Sequence, residues 1–120
     1  MKIAISTSGE DLSAPVDTRF GRAPRFLIYH METGTFSLKE NKQNLNAAQG
    51  AGIQSAACVC EEQVDAVITG NCGPKAFAVL DAAGIKVYTC GSTAISEAID
   101  QLRQGQLHPA DEANVEGHWV

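Results

Sequence analysis

Residues 64–89 decide the fold, and they read VDAVITGNCGPKAFAVLDAAGIKVYT. Apolar residues dominate 64–69 and 85–89, and each short run is bounded by turn-forming residues, which is typical of buried strands. Between the two runs, Pro74 suits a first helical position, and apolar residues recur at helical spacing as far as Gly84. A strand, a helix and a strand in this order predict a β-α-β unit with parallel strands and a right-handed crossover.

The chain on either side of this unit adds further elements. Residues 2–7 alternate apolar and small side chains and predict a first strand, while 26–31 and 35–42, joined by a short link, predict a hairpin. Helical periodicity covers 53–60 and 95–102. The predicted order is β-β-β-α-β-α-β-α, an α/β fold with helices on both faces of a five-stranded mixed sheet.

Composition and charge exclude several classes of function. Hydrophobic residues make up 44% of the chain and charged residues 19%, and no apolar run approaches the ~20 residues of a membrane span. The formal net charge of −5 argues against nucleic acid or an anionic membrane as a partner. The amino terminus resembles a strand rather than a signal peptide, so we expect a cytoplasmic protein. We expect a single α/β domain over residues 1–105 and an irregular carboxyl-terminal tail over 106–120.

The chain has four cysteines, at positions that match no common metal motif: Cys58, Cys60, Cys72 and Cys90. No pair has the C-x-x-C spacing of a zinc ribbon or a thioredoxin-type site, and nothing suggests a secreted, disulfide-bonded protein. Cys60 falls on the predicted apolar stripe of the first helix together with Ala57. We therefore interpret Cys58 and Cys60 as small core residues.

The turn at residues 70–74, Gly-Asn-Cys-Gly-Pro, follows a predicted strand where open α/β sheets bind ligands. Cys72 precedes a helix N-terminus, whose N–H groups and dipole favour anions and lower a thiol pKa. Gly70 and Gly73 let a ligand approach the backbone, and Lys75 adds positive charge. A glycine–proline turn that holds a thiol with no task explains the same segment equally well.

Cys90 follows the next strand of the unit. Because neighbouring strands lie ~4.7–4.9 Å apart, we expect Cys72 and Cys90 to face one cavity. Just beyond, Ser92 or Thr93 is expected to cap the last helix.

Three arginines, Arg19, Arg22 and Arg25, lie in the long loop that follows the first predicted strand. Guanidinium groups this close repel one another unless an anion, or a carboxylate such as Asp17, separates them. Phe20 is expected to offer an apolar wall beside them. A solvated basic loop with local pairing to Asp17 is the alternative, and the commoner outcome for a charge cluster. A predicted position beside the turn at Cys72 favours an anion site.

These segments together resemble the nitrogenase iron–molybdenum cofactor biosynthesis accessory family, which includes cofactor carriers and the molybdenum–copper orange protein. The resemblance rests on residues 2–6, 19–26, 50–53, 69–77 and 83–88. It implies a three-layer α/β/α sandwich of the ribonuclease H-like type, with sheet order 3-2-1-4-5 and an antiparallel second strand. It also implies the binding, carriage or assembly of an anionic metal–sulfur cluster: an iron–molybdenum cofactor precursor, an iron–sulfur cluster or a molybdenum–copper sulfide cluster.

The resemblance implies that residues 19–22 and 70–74 hold the cluster. Together with the positions of Lys75 and Cys90 derived above, it leads us to expect cofactor binding by Arg19, Phe20, Gly21, Arg22, Gly70, Asn71, Gly73, Pro74 and Lys75, and metal ligation by Cys72, with Cys90 as a secondary ligand. Gln49 and Asn71 stand where many relatives have histidine, which favours non-covalent capture of the anion or ligation by Cys72 alone. The implied partners are cluster donor and acceptor proteins, with the chain itself a monomer or weak homodimer.

Two other functions fit the residues. The first is a regulatory or interaction module that binds a phosphate-bearing small molecule or an acidic segment of a partner. The second is a thiol enzyme, which requires a depressed pKa at Cys72. The chain lacks a G-x-S-x-G elbow, a P-loop and a G-x-G-x-x-G after the first strand, so we predict that it is not an enzyme.

Overall fold

The computed structural model describes residues 1–43, 46 and 50–111. Within them, five strands form one sheet: β1 (Lys2–Thr7), β2 (Arg25–His30), β3 (Phe36–Glu40), β4 (Ala66–Thr69) and β5 (Lys86–Thr89). The α-helices are α1 (Ala51–Glu61), α2 (Pro74–Ala82) and α3 (Ile95–Arg103), and a 3₁₀ turn covers Phe20–Arg22. None of these helices is long and apolar enough to cross a membrane.

The strands lie in the order β3-β2-β1-β4-β5. β2 is antiparallel to both of its neighbours, while β1, β4 and β5 are parallel. The predicted sheet order and the antiparallel second strand are therefore confirmed. The predicted elements are also present, with bounds that differ by a few residues at each end.

Helices cover both faces of the sheet, so the three-layer arrangement is confirmed as well. Successive side chains of a strand point to opposite faces, and each face has its own core. The first core joins Phe26, Ile28 and Val67 of the sheet to α1 and α2. The second joins Ile5, Leu27 and Ile68 to α3.

The inner face of α1 differs from the predicted stripe. Its buried residues are Gly52, Ser55, Ala56, Cys58 and Val59, whereas Ala57 is exposed and Cys60 is half-buried. The prediction counted apolar residues only. Ser55 lies inside because its hydroxyl has hydrogen-bond partners there, which hydrophobic periodicity cannot detect.

Residues 106–111, expected to belong to an irregular tail, run beside β5. Ala110 N donates to Val87 O at 2.7 Å, and Pro109 forms a β-bridge with Tyr88. Leu107 packs on the α3 side of the core. This short segment therefore covers part of the outer edge of β5, while the proposed domain boundary at residue 105 stays a prediction.

Ending the chain at Gly105 is expected to lower the free energy of unfolding by about 1–2 kcal/mol, because it removes the Leu107 side chain and the Ala110 hydrogen bond. Urea denaturation followed by circular dichroism measures this difference. A chain that ends at Asp111 keeps both contacts and is the matched control. Equal stability of the two shortened chains would contradict the role assigned to residues 106–111.

Candidate functional site

Two turns lie side by side beyond the carboxyl ends of β1 and β4: the arginine turn, residues 19–22, and the cysteine turn, residues 70–74. Phe20 N donates to Asn71 O at 3.2 Å, and Asn71 Nδ2 donates to Thr18 O at 3.0 Å. The predicted juxtaposition of the two segments is therefore present, and it is built from hydrogen bonds within the chain.

Gly70 allows this contact. A Cβ atom built on Gly70 would lie 2.6 Å from Thr18 Cα and 2.6 Å from Thr18 Cβ, closer than real side chains approach. The two backbones can therefore meet only if position 70 has no side chain.

Buried hydroxyls anchor the base of the arginine turn to the sheet. Ser6 Oγ donates to Asp17 O at 2.7 Å and lies 2.8 Å from Thr69 Oγ1. Asp17 N in turn donates to Ser6 O at 2.7 Å. The Asp17 carboxylate accepts a hydrogen bond from Arg19 N at 2.9 Å, so the start of the turn is set by the end of β1.

The three arginines have different surroundings. Arg25 Nε lies 2.8 Å from Glu40 Oε2, and Arg25 Nη1 donates to Ser8 O at 2.7 Å, so this side chain is structural. Arg19 Nε lies 3.7 Å from Asp17 Oδ1, but the Arg19 side chain is 62% exposed, and such surface pairs contribute little. Arg22 is also exposed. Two guanidinium groups therefore stand in solvent at this edge.

Asn41 and Ser55, which sequence reasoning missed, hold the other end of the arginine turn. Asn41 Nδ2 donates to Ala23 O at 2.8 Å and to Ser55 Oγ at 2.9 Å. Ser55 Oγ donates to Gly21 O at 3.2 Å. Both residues are buried, and this network joins the turn to α1 and to the exit of β3. No apolar pattern or motif signals these two positions.

All three α-helices begin beyond the carboxyl ends of the parallel strands, where the two turns lie. The residues that precede them are Gly50, Gly73 and Ala94, and none provides a side-chain cap. The expected cap of α3 by Ser92 or Thr93 is therefore wrong. The first turns of α1 and α2 also contain no acidic residue. Their leading N–H groups and helix dipoles thus add positive potential beside the arginines.

Cys72 does not have the activated thiol that its position suggested. Its side chain is 1% exposed and belongs to the core beneath α1 and α2. Burial raises the pKa of Cys72 to about 12, because the apolar surroundings disfavour the thiolate. The expected lowering by the helix dipole is outweighed by this desolvation.

Cys72 and Cys90 do not face one cavity. Cys90 packs against the core on the α3 side, whereas Cys72 lies in the core on the α1 and α2 side. Burial raises the pKa of the Cys90 thiol too. Among the residues that the structure describes, no three His, Cys, Asp or Glu side chains are grouped to hold a metal ion.

The remaining predicted residues divide between core and surface. Phe20 is fully buried and its ring centroid lies 5.3 Å from that of Phe26, so it belongs to the core rather than to the wall of a surface site. Gly73 is buried, while Pro74 and Lys75 are exposed at the start of α2. Gln49 lies outside the described residues.

The chain is similar to known proteins in both sequence and structure. A family model named dinitrogenase iron-molybdenum cofactor matches residues 1–105. An uncharacterised protein of Methanocaldococcus jannaschii is 37% identical over 109 residues, which is 89% of either chain. The apo orange protein from Desulfovibrio gigas has a TM-score of 0.89 at 33% identity, over 95% of this chain and 96% of that one. A NifB-like protein from Thermotoga has a TM-score of 0.79 at 35% identity, over 97% and 98%. The resemblance stated from the sequence is confirmed.

Gly70→Ala is expected to lower the free energy of unfolding by about 1–3 kcal/mol, because the added methyl overlaps Thr18 and forces the two turns apart. Gly91→Ala is the matched control at the same edge, since a Cβ there meets nothing within 4 Å. Urea denaturation of both variants measures the difference. A Gly70→Ala protein as stable as Gly91→Ala would contradict the close approach.

The raised pKa of Cys72 predicts slow alkylation. At pH 8, iodoacetamide is expected to modify Cys60 and Cys90, which are half-buried, well before Cys72, since the buried thiol is both protonated and shielded. Mass spectrometry of the digested protein measures each rate, and the same reaction in urea supplies the unshielded reference. Fast modification of native Cys72 near neutral pH would instead support a thiol enzyme.

Proposed function

This chain belongs to the dinitrogenase iron–molybdenum cofactor family, and on that premise we propose that it binds and carries an anionic metal–sulfur cluster where the arginine turn meets the cysteine turn. The cluster is cargo, received from a donor protein and passed to an acceptor protein. An iron–molybdenum cofactor precursor, an iron–sulfur cluster and a molybdenum–copper sulfide cluster share the chemistry that matters here, a negative charge spread over exposed sulfides.

One observation carries the proposal: exposed cations and uncapped helix ends lie together beyond the carboxyl ends of the parallel strands, in a chain whose net charge is −5. Two exposed arginines, Arg19 and Arg22, lie beside helix ends that have no side-chain cap. Backbone N–H groups at helix N-termini bind anions, and guanidinium groups make charge-assisted hydrogen bonds to them. Lys75, exposed in the first turn of α2, adds a third cation at the rim.

The mode of binding we propose is non-covalent. Cys72 is protonated and buried in this conformation, so coordination of a metal by its sulfur would require the cysteine turn to open. Capture by arginines and backbone amides needs no such opening, and release breaks no metal–thiolate bond. A hold of this kind suits a carrier, which must give up its cargo. The protonated thiol also argues against nucleophilic catalysis at this site.

Anaerobic loading tests the proposal. The protein is incubated with molybdate, copper(I) or iron(II) together with sulfide, desalted, and examined for retained metal and for a visible charge-transfer band. We expect stoichiometric metal in at least one mixture, and at least about tenfold weaker retention in the Arg19→Ala/Arg22→Ala double variant, because two charge-assisted contacts are lost.

Lys86→Ala is the control for the loss of one positive charge away from the site, to be compared with Arg19→Ala and Arg22→Ala singly, since Lys86 is exposed at the start of β5, at the amino-terminal end of the parallel strands. Cys72→Ala is expected to keep its metal. Loss of metal in both Cys72→Ala and Cys72→Ser would indicate that the Cys72 thiolate ligates the metal, and would contradict capture by the arginines. If no mixture leaves metal on the protein while inorganic phosphate binds at the arginines, the phosphate-binding alternative is supported and the carrier is not.

A further inference from the structure

The two outermost strands of the sheet are β3 and β5, and the described residues cover their outer sides to different extents. Residues 109 and 110 pair with β5 along one edge. Along the other, no described residue forms a β-bridge with the outer side of β3. Bare strand edges are prone to pair with another chain, and proteins usually cover or charge them.

The backbone groups of β3 that point outward can be identified from its pairing with β2. His30 N donates to Thr35 O at 2.9 Å, and Asn41 N donates to Pro24 O at 3.0 Å. In an antiparallel ladder the inward-bonding residues alternate, so positions 35, 37, 39 and 41 bond to β2. The N–H and C=O groups of Phe36, Leu38 and Glu40 therefore face outward.

Two of these outward residues also carry exposed apolar side chains. Phe36 is 40% exposed and Leu38 is 41% exposed. They lie opposite Tyr29 and Leu27 in the ladder, so both are on the α3 face of the sheet, beyond the part that α3 covers. The exposed apolar surface thus coincides, on one strand, with backbone groups that form no β-bridge to any described residue.

The charges beside β3 are balanced. A cleft of about 610 Å³ lies between β3 and α1, and its charged lining residues are Lys39, Lys42, Glu40 and Glu61. Lysine on an edge strand normally keeps other chains away, but Lys39 Nζ is held by Glu61 at 3.0 Å and by Glu62 at 3.5 Å. Although the whole chain has a net charge of −5, the surface beside β3 is close to neutral, so two copies of this surface can come together without net repulsion between them.

We propose that β3 pairs with β3 of a second copy, antiparallel and about a two-fold axis at Leu38. This register places Leu38 opposite Leu38 and Phe36 opposite Glu40 of the other copy. It matches every outward N–H with an outward C=O, as a self-complementary two-fold interface requires. Glu40 O accepts a long contact from Cys58 Sγ at 3.6 Å, and its second lone pair remains suitable for the partner. The two sheets become one sheet of ten strands.

Sedimentation equilibrium over about 10 µM to 1 mM tests the association, since a pairing this small is expected to be weak. Leu38→Lys places two like charges at the axis and is expected to weaken the dimer at least about tenfold. Ala82→Lys adds the same charge at an exposed position at the end of α2 and is the matched control. No metal is needed, so the result is independent of cluster binding.

Cross-linking tests the register. Under a mild oxidant, Leu38→Cys is expected to form a disulfide between copies, because hydrogen-bonded antiparallel residues have Cα atoms about 5.5 Å apart. Phe36→Cys is expected not to link to itself, since two copies of position 36 lie four residues, about 14 Å, apart in this register. The wild-type chain gives the background from its four cysteines. A monomer at every concentration, a dimer that Leu38→Lys leaves intact, or equal cross-linking of both cysteine variants would each overturn the proposal.

Discussion

The candidate site depends on the close approach of Gly70 to Thr18, where the loop after β1 meets the turn after β4. The two strands are parallel neighbours, so their carboxyl ends emerge side by side, and one missing side chain lets the two backbones touch. The Asn71 amide then joins them to each other. Because this contact is made by the chain itself, the arginine turn has its shape before any ligand arrives, and binding need not order it.

In the candidate site, the groups that fix the backbone are different from the groups available to bind a ligand. Buried hydroxyls and amides fix the arginine turn at both ends, with Ser6 and Thr69 at one end and Asn41 and Ser55 at the other. The cations and helix ends remain at the surface. A polar network that is fully satisfied in the core rigidifies the loop it supports. The exposed groups can therefore exchange an anion while the scaffold beneath them stays unchanged.

The parallel β-α-β unit and the meeting of the two turns could be predicted from the residues, because short apolar runs around a Gly-Pro helix start leave few topologies open. The order of the five strands in the sheet came from the family resemblance. Asn41 and Ser55 could not, since a polar residue enters the core only when partners from other elements happen to meet it there. The sequence pattern also could not predict the directions in which the thiols of Cys72 and Cys90 point. Cys90 directly continues β5, whereas Cys72 lies three residues past the end of β4 in a turn, so strand spacing does not determine where either sulfur points.

The uncapped helix ends have a consequence for how long the empty protein survives. A side-chain cap typically stabilises a helix by about 1 kcal/mol, and α1 and α2 lack one. The first N–H groups of α3 differ, since Ile95 N and Ser96 N donate to the carbonyls of Ala14 and Leu12. An anion seated at those ends acts as a cap supplied from outside, and a ligand that binds only the folded state adds its binding free energy to folding. The loaded molecule then opens less often to proteases than the empty one. Under the proposed carrier function, turnover in the cell would therefore differ between copies with and without cargo.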